Sequence, residues 1–351
     1  MHRFIVPDLD GPISGGTLFN RMLIEALVES GWPANLLPLA RAAAVLAKAS
    51  TPDVFWVDTL YLAELPALVR AARGVVPVLL IAHYLPTLVA RGNQLKRSDL
   101  TKAETAGLRN ADGFLVPSAF MRGIVERVAG ADRPILQIEP GRLAHAPVEA
   151  PGPPARAVMV ANLVPGKGVE PFLRDLAEQL EESDPFRLTI IGGSVHDPAY
   201  AQRCRELGNA RPLAGRVSFE GALSPAMTVL RMAASNLFIS ASVMESYGMA
   251  LAEAKALGLP IIATRGGNVA ALVARQSGGE LAACSMKLAA ACLALCRDPG
   301  EHRLRIERAR AHALPDRPWA FAARDFIAAS TTLGKSTRRR RARDEVSREH
   351  D

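Results

Sequence analysis

Residues Ser240–Asn268, SASVMESYGMALAEAKALGLPIIATRGGN, read as strand, loop, helix, tight stop, strand and Gly-rich turn. The loop carries Glu245. The Ala- and Leu-rich helix after it carries Glu253, and Gly258 and Pro260 end that helix before the apolar strand Ile261–Thr264. An apolar strand, a helix and a second apolar strand form the repeating unit of a parallel sheet. Open α/β sheets bind ligands beyond the carboxyl ends of their strands, so Glu245 and Glu253 can both face one crevice.

The same alternation extends in both directions. Toward the N-terminus, Arg3–Pro7 reads as a strand, Leu9–Gly16 as a loop with Gly11, Pro12, Gly15 and Gly16, and Thr17–Ser30 as an amphipathic helix ended by Gly31. Further strands are expected at Val54–Val57, Val76–Ala82 and Gly113–Val116. The run VVPVLLIA is apolar on both faces, as a buried parallel strand should be. Residues 144–156 hold Pro147, Pro151, Pro153, Pro154 and Gly152 and read as a linker. Strands then resume at Arg156–Ala161, Arg187–Ile191, Val217–Glu220, Leu237–Ser240 and Ile261–Thr264. The reading is an α/β chain of two domains, 1–148 and 149–334, followed by a tail at 335–351. A ligand cleft is expected where two such domains face each other.

The bulk composition agrees. The 351 residues suffice for two domains, and 49% hydrophobic with only 5% aromatic residues implies a core of Leu, Ala, Val and Ile, which suits α/β layers. Net charge is +7, of which the tail from Lys335 contributes +3 through seven basic and four acidic residues. The tail reads as a solvated, disordered end. The alternative is electrostatic attachment of Arg338–Arg341 to anionic lipid, a peripheral membrane contact; no aromatic interleaving or motif points to specific nucleic-acid binding. The N-terminus has Asp8 and Asp10 where a signal peptide would be apolar, and Leu281–Cys296 reads as a core helix too short to span a membrane. A cytoplasmic protein is expected. Cys204, Cys284, Cys292 and Cys296 have no His nearby and read as small buried apolar residues rather than as metal ligands or a disulfide.

Several residues could carry chemistry. Lys167 lies in the Gly166-Lys167-Gly168 turn before a helix expected to start near Val169, a natural anion site, although the pattern is not a Walker loop because Ala161 and Gly168 stand at its defining places. Gly15 and Gly16 occupy the first strand-to-helix turn, without the G-x-G-x-x-G of a nicotinamide enzyme. His83 directly follows the buried strand Val76–Ala82. Each also has a bland reading: a surface turn lysine, packing glycines, a structural histidine. Glu245 and Glu253 together could be a glycosidase pair, but eight helical positions would put them about 12 Å apart, which favours ligand recognition.

In this order and spacing the residues resemble the retaining glycosyltransferases of the GT-B fold, family 4 type (glycosyltransferase group 1). The resemblance covers nearly the whole chain and is strongest from Ala157 to Leu272. It implies two Rossmann-like domains with parallel sheets facing across a cleft. It also implies transfer of a sugar from a nucleoside-diphosphate sugar to an acceptor hydroxyl with retention of configuration, without a metal and with no tightly bound cofactor. Glu253 would then accept hydrogen bonds from the ribose hydroxyls. Glu245 would hold a sugar hydroxyl, helped by amides around Tyr247, Gly248 and Met249. Lys167 would neutralise the diphosphate, assisted by the amides of Gly15 and Gly16, and His83 would contact the sugar near the reacting carbon. The last helix, near Pro318–Thr332, would cross back to the first domain. The acceptor is a glycan, a lipid-linked sugar or a small molecule.

The chain departs from the family pattern at three places. Asn162 stands where an arginine usually contacts the diphosphate, Ala270-Ala271 replaces a Pro-Glu pair, and Arg265 replaces a common acid. The rival readings are a non-catalytic sugar-nucleotide-binding homologue and a GT-B enzyme of other chemistry, such as an epimerase or phosphorylase.

Overall fold

The computed structural model describes residues 1–91, 95–143 and 152–331. The chain forms two compact units, Met1–Gly141 together with the segment from Pro318 onward, and Arg142–Arg317.

The first unit contains β1 (His2–Ile5), α1 (Gly15–Glu29), β2 (Ala34–Leu36), α2 (Leu39–Leu46), β3 (Val54–Asp58), α3 (Leu65–Ala71), β4 (Val78–Ile81), α4 (Pro86–Arg91), α5 (Lys102–Asn110), β5 (Phe114–Val116), α6 (Ala119–Ala129) and β6 (Ile135–Gln137). Its sheet is wholly parallel, in the order β2-β1-β3-β4-β5-β6. The second unit contains β7 (Arg156–Val160), α7 (Val169–Gln179), β8 (Arg187–Ile191), α8 (Pro198–Asn209), β9 (Val217–Gly221), α9 (Pro225–Ala233), β10 (Leu237–Ser240), α10 (Met249–Ala256), β11 (Ile261–Thr264), α11 (Val269–Leu272), β12 (Glu280–Ala282), α12 (Ser285–Arg297) and α13 (Pro299–Ala311). Its parallel sheet runs β12-β11-β10-β7-β8-β9. Numbered within the unit, this is the 3-2-1-4-5-6 order of a Rossmann sheet, with its topological switch between β7 and β10.

Alternation along the strands of the second unit explains the layers. Ala157, Met159, Leu188, Ile190 and Ile239 join Phe172, Leu173 and Leu176 of α7 and Leu288 and Cys292 of α12 in one core. Val158, Phe238, Ile261 and Ala263, one residue out of phase, pack with Leu251 and Ala252 of α10 in the other. Successive strand side chains point to opposite faces, so both faces of this sheet are buried.

A final helix, α14 (319–331), belongs to the first unit. The fully buried Phe326 ring lies 4.9 Å from Trp56, 5.9 Å from Phe4 and 5.6 Å from His2, and Trp319 meets Phe19 edge-on at 5.7 Å. The second compact unit ends at Arg317; the sequence assigns 149–334 to the second domain with its last helix expected to cross back to the first, and α14 is grouped with the first unit. The linker boundary at 148/149 and the tail 335–351 lie outside the described residues.

Three strands escape the sequence reading: β2, β6 and β12, each of three residues and each at a sheet edge. The segment read as one helix, Leu281–Cys296, instead begins inside β12 and becomes α12 only at Ser285. Pairing of Ile262–Thr264 with Glu280–Ala282 uses backbone groups, which side-chain periodicity does not report. Cys284 is exposed, against the expectation of burial, while Cys204, Cys292 and Cys296 are buried. Among the described residues no helix is long and apolar enough to cross a membrane.

One buried side chain fastens the start of the second sheet. The fully buried Asn236 accepts from the Arg156 amide at 2.7 Å and donates to the carbonyls of Gly152 at 2.9 Å and Pro154 at 3.0 Å. Asn236→Ala strands three polar groups and is expected to destabilise this unit by about 2–4 kcal/mol, read as a lower urea midpoint for the second unit.

Candidate functional site

In the second unit the loops that follow β7 and β10 meet at the switch point. The Val243 amide donates to the Gly166 carbonyl at 3.0 Å, tying the Lys167 turn to the Glu245 loop. Gly168, at φ 64°, sits so close to the Ala241 carbonyl that any Cβ would collide with it. Only a glycine meets both demands, a left-handed backbone and a vacant side-chain position. On the other side, Glu245 pairs with Gly267 in an isolated parallel bridge, and its carbonyl accepts from the Asn268 amide at 2.7 Å. Gly267, at φ 63°, packs against the Glu245 carbonyl. The Gly-rich turn after β11 therefore serves to seat Glu245.

This scaffold joins two residues that the sequence could only place near one another. Lys167 Nζ lies 2.6 Å from Glu245 Oε1, with both side chains partly shielded from solvent. A short ion pair of this kind holds a flexible lysine extended and aims its remaining N–H groups. At the N-terminus of α7, beside this pair, the Glu170 amide donates to the Tyr200 hydroxyl at 2.9 Å.

Asn162 also has a structural task. Its side-chain oxygen accepts from the Gly193 amide at 2.9 Å, while the Leu163 amide donates to the Gly193 carbonyl at 2.9 Å. The residue thereby braces the ends of β7 and β8 against each other.

Glu253 projects from α10, whose start is set by Gly248 in a left-handed conformation at φ 90°. Tyr247 is buried, and its carbonyl accepts from Asn268 Nδ2 at 2.8 Å. The amides of Gly248 and Met249 stand at the helix N-terminus, where backbone donors lack intrahelical partners. The Glu253 carboxyl has no hydrogen-bond partner among the described residues. Burial pushes it up from the usual carboxylate range to about 7, and the positive charge of Arg142 restrains the rise. Arg142 is itself 5% exposed and donates from Nη2 to the Pro315 carbonyl at 2.6 Å. It lies at the edge of the linker region, where no sequence pattern singles it out.

In the first unit, Gly15 and Gly16 are the first residues of α1, which Ser14 caps by accepting from the Thr17 amide at 3.2 Å. A side chain at Gly16 would press on the His83 ring, whereas the space at Gly15 is open. His83 is buried at the end of β4, with Phe19 edge-on to its ring at 5.0 Å.

Two residues unmarked by the sequence reading hold His83 in place. Asn20 Oδ1 lies 2.8 Å from His83 Nε2, and Asn20 Nδ2 donates to Asp58 Oδ2 at 2.6 Å. Asp58 is fixed in turn by accepting from the Leu60 amide at 2.8 Å through Oδ1. A carboxylate only accepts, so it turns the Asn20 amino group toward itself and the Asn20 oxygen toward the histidine. His83 then carries its proton on Nε2 and keeps Nδ1 as an acceptor. Burial lowers the His83 pKa, and Asp58, 3.6 Å from Nε2, partly opposes that. The signal for Asp58 was present in the sequence as a lone acid ending the apolar strand VFWVD. Asn20 was masked by its position on the buried face of α1.

Among the described residues no group of three His, Cys, Asp or Glu could hold a metal ion. Comparison with known proteins matches residues 143–312 to the family model for glycosyl transferases group 1 and residues 15–141 to that for a glycosyl transferase 4-like domain. Among curated proteins, the chain is 24% identical over 196 residues to an alpha-monoglucosyldiacylglycerol synthase of Streptococcus pneumoniae (52% of this chain, 43% of that one). It is 30% identical over 179 residues to a D-inositol 3-phosphate glycosyltransferase of Corynebacterium efficiens (49% and 42%). These matches thus span less than half the length of those relatives. Among solved structures, HepE of Anabaena, in complex with UDP and glucose, superposes with a TM-score of 0.72 at 16% identity, covering 95% of this chain and 99% of that one. Sucrose-phosphate synthase of Thermosynechococcus elongatus gives 0.66 at 18% identity, covering 97% and 99%. Two parallel Rossmann-like sheets, the seated Lys167 and Glu245, and two family models that between them account for most of its length establish that the chain belongs to glycosyltransferase group 1, the family 4 glycosyltransferases of GT-B fold.

Proposed function

We propose that this protein transfers a hexose from a nucleoside-diphosphate sugar to an acceptor hydroxyl, with retention of anomeric configuration and without a bound metal. The observation that carries the reading is the Lys167–Glu245 pair, 2.6 Å apart at the switch point of a Rossmann sheet. A departing nucleoside diphosphate gathers negative charge, and a cation already fixed in place lowers the barrier without reorganisation. Lys167 takes the diphosphate in this scheme. Glu245 aims the lysine and accepts from a sugar hydroxyl, and the amides of Gly248 and Met249 donate to the sugar or phosphate. Glu253 accepts from the ribose hydroxyls. Asn162, whose oxygen accepts from Gly193, can offer the diphosphate its amide N–H groups but not the charge of an arginine. In the first unit, His83 acts on the sugar near the reacting carbon and the amides of Gly15 and Gly16 assist at the phosphates.

HepE in complex with UDP and glucose makes UDP-glucose the first sugar donor to test. The relatives' names, with a diacylglycerol-linked glucose and an inositol phosphate, recommend lipid-linked and soluble polyol acceptors. The deciding experiment incubates the protein with UDP-, GDP- and ADP-sugars, with and without these acceptors, and resolves the products. Acceptor-dependent glycoside of retained configuration, formed equally in the presence of EDTA, is expected. Sugar conversion without acceptor would establish an epimerase instead, and binding without any product a non-catalytic homologue.

Lys167→Ala is expected to lower kcat by about 10²–10³-fold, the cost of removing one charged group from a developing anion. Glu245→Gln should lower it less, because Lys167 remains but loses its tether; steady-state kinetics of the two variants checks the order.

Glu253 gives a separable prediction. Its carboxyl is neutral in the folded protein up to about pH 7, while in the unfolded chain it ionises near 4.5. The native state therefore holds a proton that the unfolded state has lost, and stability falls as pH rises from 4.5 through 7. Glu253→Gln removes that cost and should stabilise the donor-free protein at pH 8 by on the order of 1–3 kcal/mol. The same variant should bind UDP more weakly. In the wild type, UDP affinity should climb between pH 6 and 8, since the ionised carboxylate is the better acceptor of ribose hydroxyls. Calorimetry at three pH values reads both effects.

The Asn20–Asp58 pair is expected to act through His83. Asp58→Asn removes the charge that opposes burial, so the His83 pKa should drop further. The His83 resonance, assigned with His83→Gln and followed by NMR, measures this directly.

A further inference from the structure

We propose that the C-terminal unit carries a second anion site, for a small ligand bearing two or more phosphate groups, in the cavity formed by β12, α12, α13 and the turn 275–277. The cavity measures about 750 Å³ and is lined by Arg265, Arg275, Arg305 and Arg308, with Glu280 and Glu301 as its acids. None of the residues assigned to the sugar donor lines it.

The charge is unevenly distributed within this wall. Arg305 takes both acids, with Nη1 2.7 Å from Glu280 Oε2 and Nε 2.8 Å from Glu301 Oε1. Arg265, Arg275 and Arg308 form no ion pair among the described residues. Three guanidinium groups around one concavity repel each other, and an anion placed among them removes that repulsion. Val273, Leu281 and Ala291 supply apolar wall. Low-dielectric walls focus the field of a single-sign rim into the cavity.

The wall is also held in shape. Gly278, at φ 71°, lies against the Arg305 backbone so closely that a Cβ would collide with the Arg305 carbonyl. This contact fixes the turn bearing Arg275 against α13, which bears Arg308. The Arg265 amide donates to the Ala282 carbonyl at 3.0 Å, fixing that residue at the end of β12. Planar guanidinium groups match phosphate oxygens in bidentate geometry, and three of them call for more than one phosphate.

The test uses the full-length protein carrying Lys167→Ala, so that a diphosphate probe loses its principal contact in the proposed sugar-donor site. Inorganic pyrophosphate is titrated by calorimetry at low ionic strength. One site is expected, with affinity falling at least about 10-fold on adding Arg275→Ala and Arg308→Ala, and falling less on adding Arg275→Lys and Arg308→Lys, which keep the charge but lose the bidentate geometry. Arg275 and Arg308 are exposed, and unchanged melting curves verify that the variants fold. Failure of the Lys167→Ala protein to bind pyrophosphate would overturn the proposal, as would binding unaffected by the paired alanines. Neither result bears on the transferase reading, which acceptor-dependent product formation tests separately. Co-sedimentation with phosphatidic acid vesicles, lost in the paired alanine variant, would assign the phosphates to a lipid headgroup. No vesicle binding with pyrophosphate binding intact would assign them to a soluble ligand.

Discussion

The parallel pairing of β7 with β10 is the constraint on which the rest of the C-terminal unit depends. These strands are far apart in sequence, and their alignment of Leu237 with Ala157 and Phe238 with Val158 sets two loops side by side at one end of the sheet. Everything chemical in the unit follows from that register. The turn after β7 delivers Lys167, the loop after β10 delivers Glu245, and the Val243-to-Gly166 hydrogen bond locks them together. A slip of one residue would turn Val158 and Phe238 into the wrong core and separate the ion pair. The packing that stabilises the sheet and the geometry that could stabilise a leaving group are therefore the same set of contacts.

The polar groups at these loops are kept at a cost. Glu253 is retained where burial raises its carboxyl to about 7, and no hydrogen bond among the described residues offsets the burial. His83 is buried and resists protonation, yet sits on an amide and a carboxylate that define its tautomer. A chain selected only for stability would fill both places with apolar side chains. Glu104 is the opposite case: it accepts four hydrogen bonds from Thr87 and Thr101, and these outweigh burial to keep its carboxyl below the usual range. Glu104 and Glu253 thus differ in hydrogen bonding: the first is saturated, while the carboxyl of the second has no hydrogen-bond partner among the described residues.

How much of this was legible follows from which interactions leave a trace in side-chain pattern. Strands such as Arg187–Ile191, Leu237–Ser240 and Ile261–Thr264 are read at their true bounds because both faces are apolar and turn residues delimit them. The edge strands β2, β6 and β12 are invisible because each is three residues long and only partly buried, whereas the equally short β5 is legible as an all-apolar, fully buried run. Lys167, Glu245 and Glu253 were legible through their spacing around glycines. Their mutual geometry was not, since the Lys167–Glu245 contact joins residues 78 positions apart. Asn20 and Arg142 were hidden for a different reason. A polar residue on an apolar helix face, or beside a Pro-rich stretch, looks like an exception to a pattern until its buried partner is known.

The departures from the family pattern then acquire a physical sense. At the candidate sugar-donor loops Asn162 is neutral and Lys167 is paired one-to-one with Glu245, so these residues together carry no net positive charge. At the rim of the α12–α13 cavity, Glu280 and Glu301 pair with Arg305, and Arg265, Arg275 and Arg308 form no ion pair among the described residues. Positive charge is thus sparse where a diphosphate is expected and dense where the family pattern gives no reason for it. With little net charge there to draw a nucleotide in, the proposed function would rest on directed contacts: the amides of Gly248 and Met249, the aimed Lys167, and an ionised Glu253. Directed contacts discriminate between ligands better than bulk charge, since each one fails when its partner group is absent. Exchanging charge for geometry in this way weakens non-specific attraction of anions while preserving selection of the correct one.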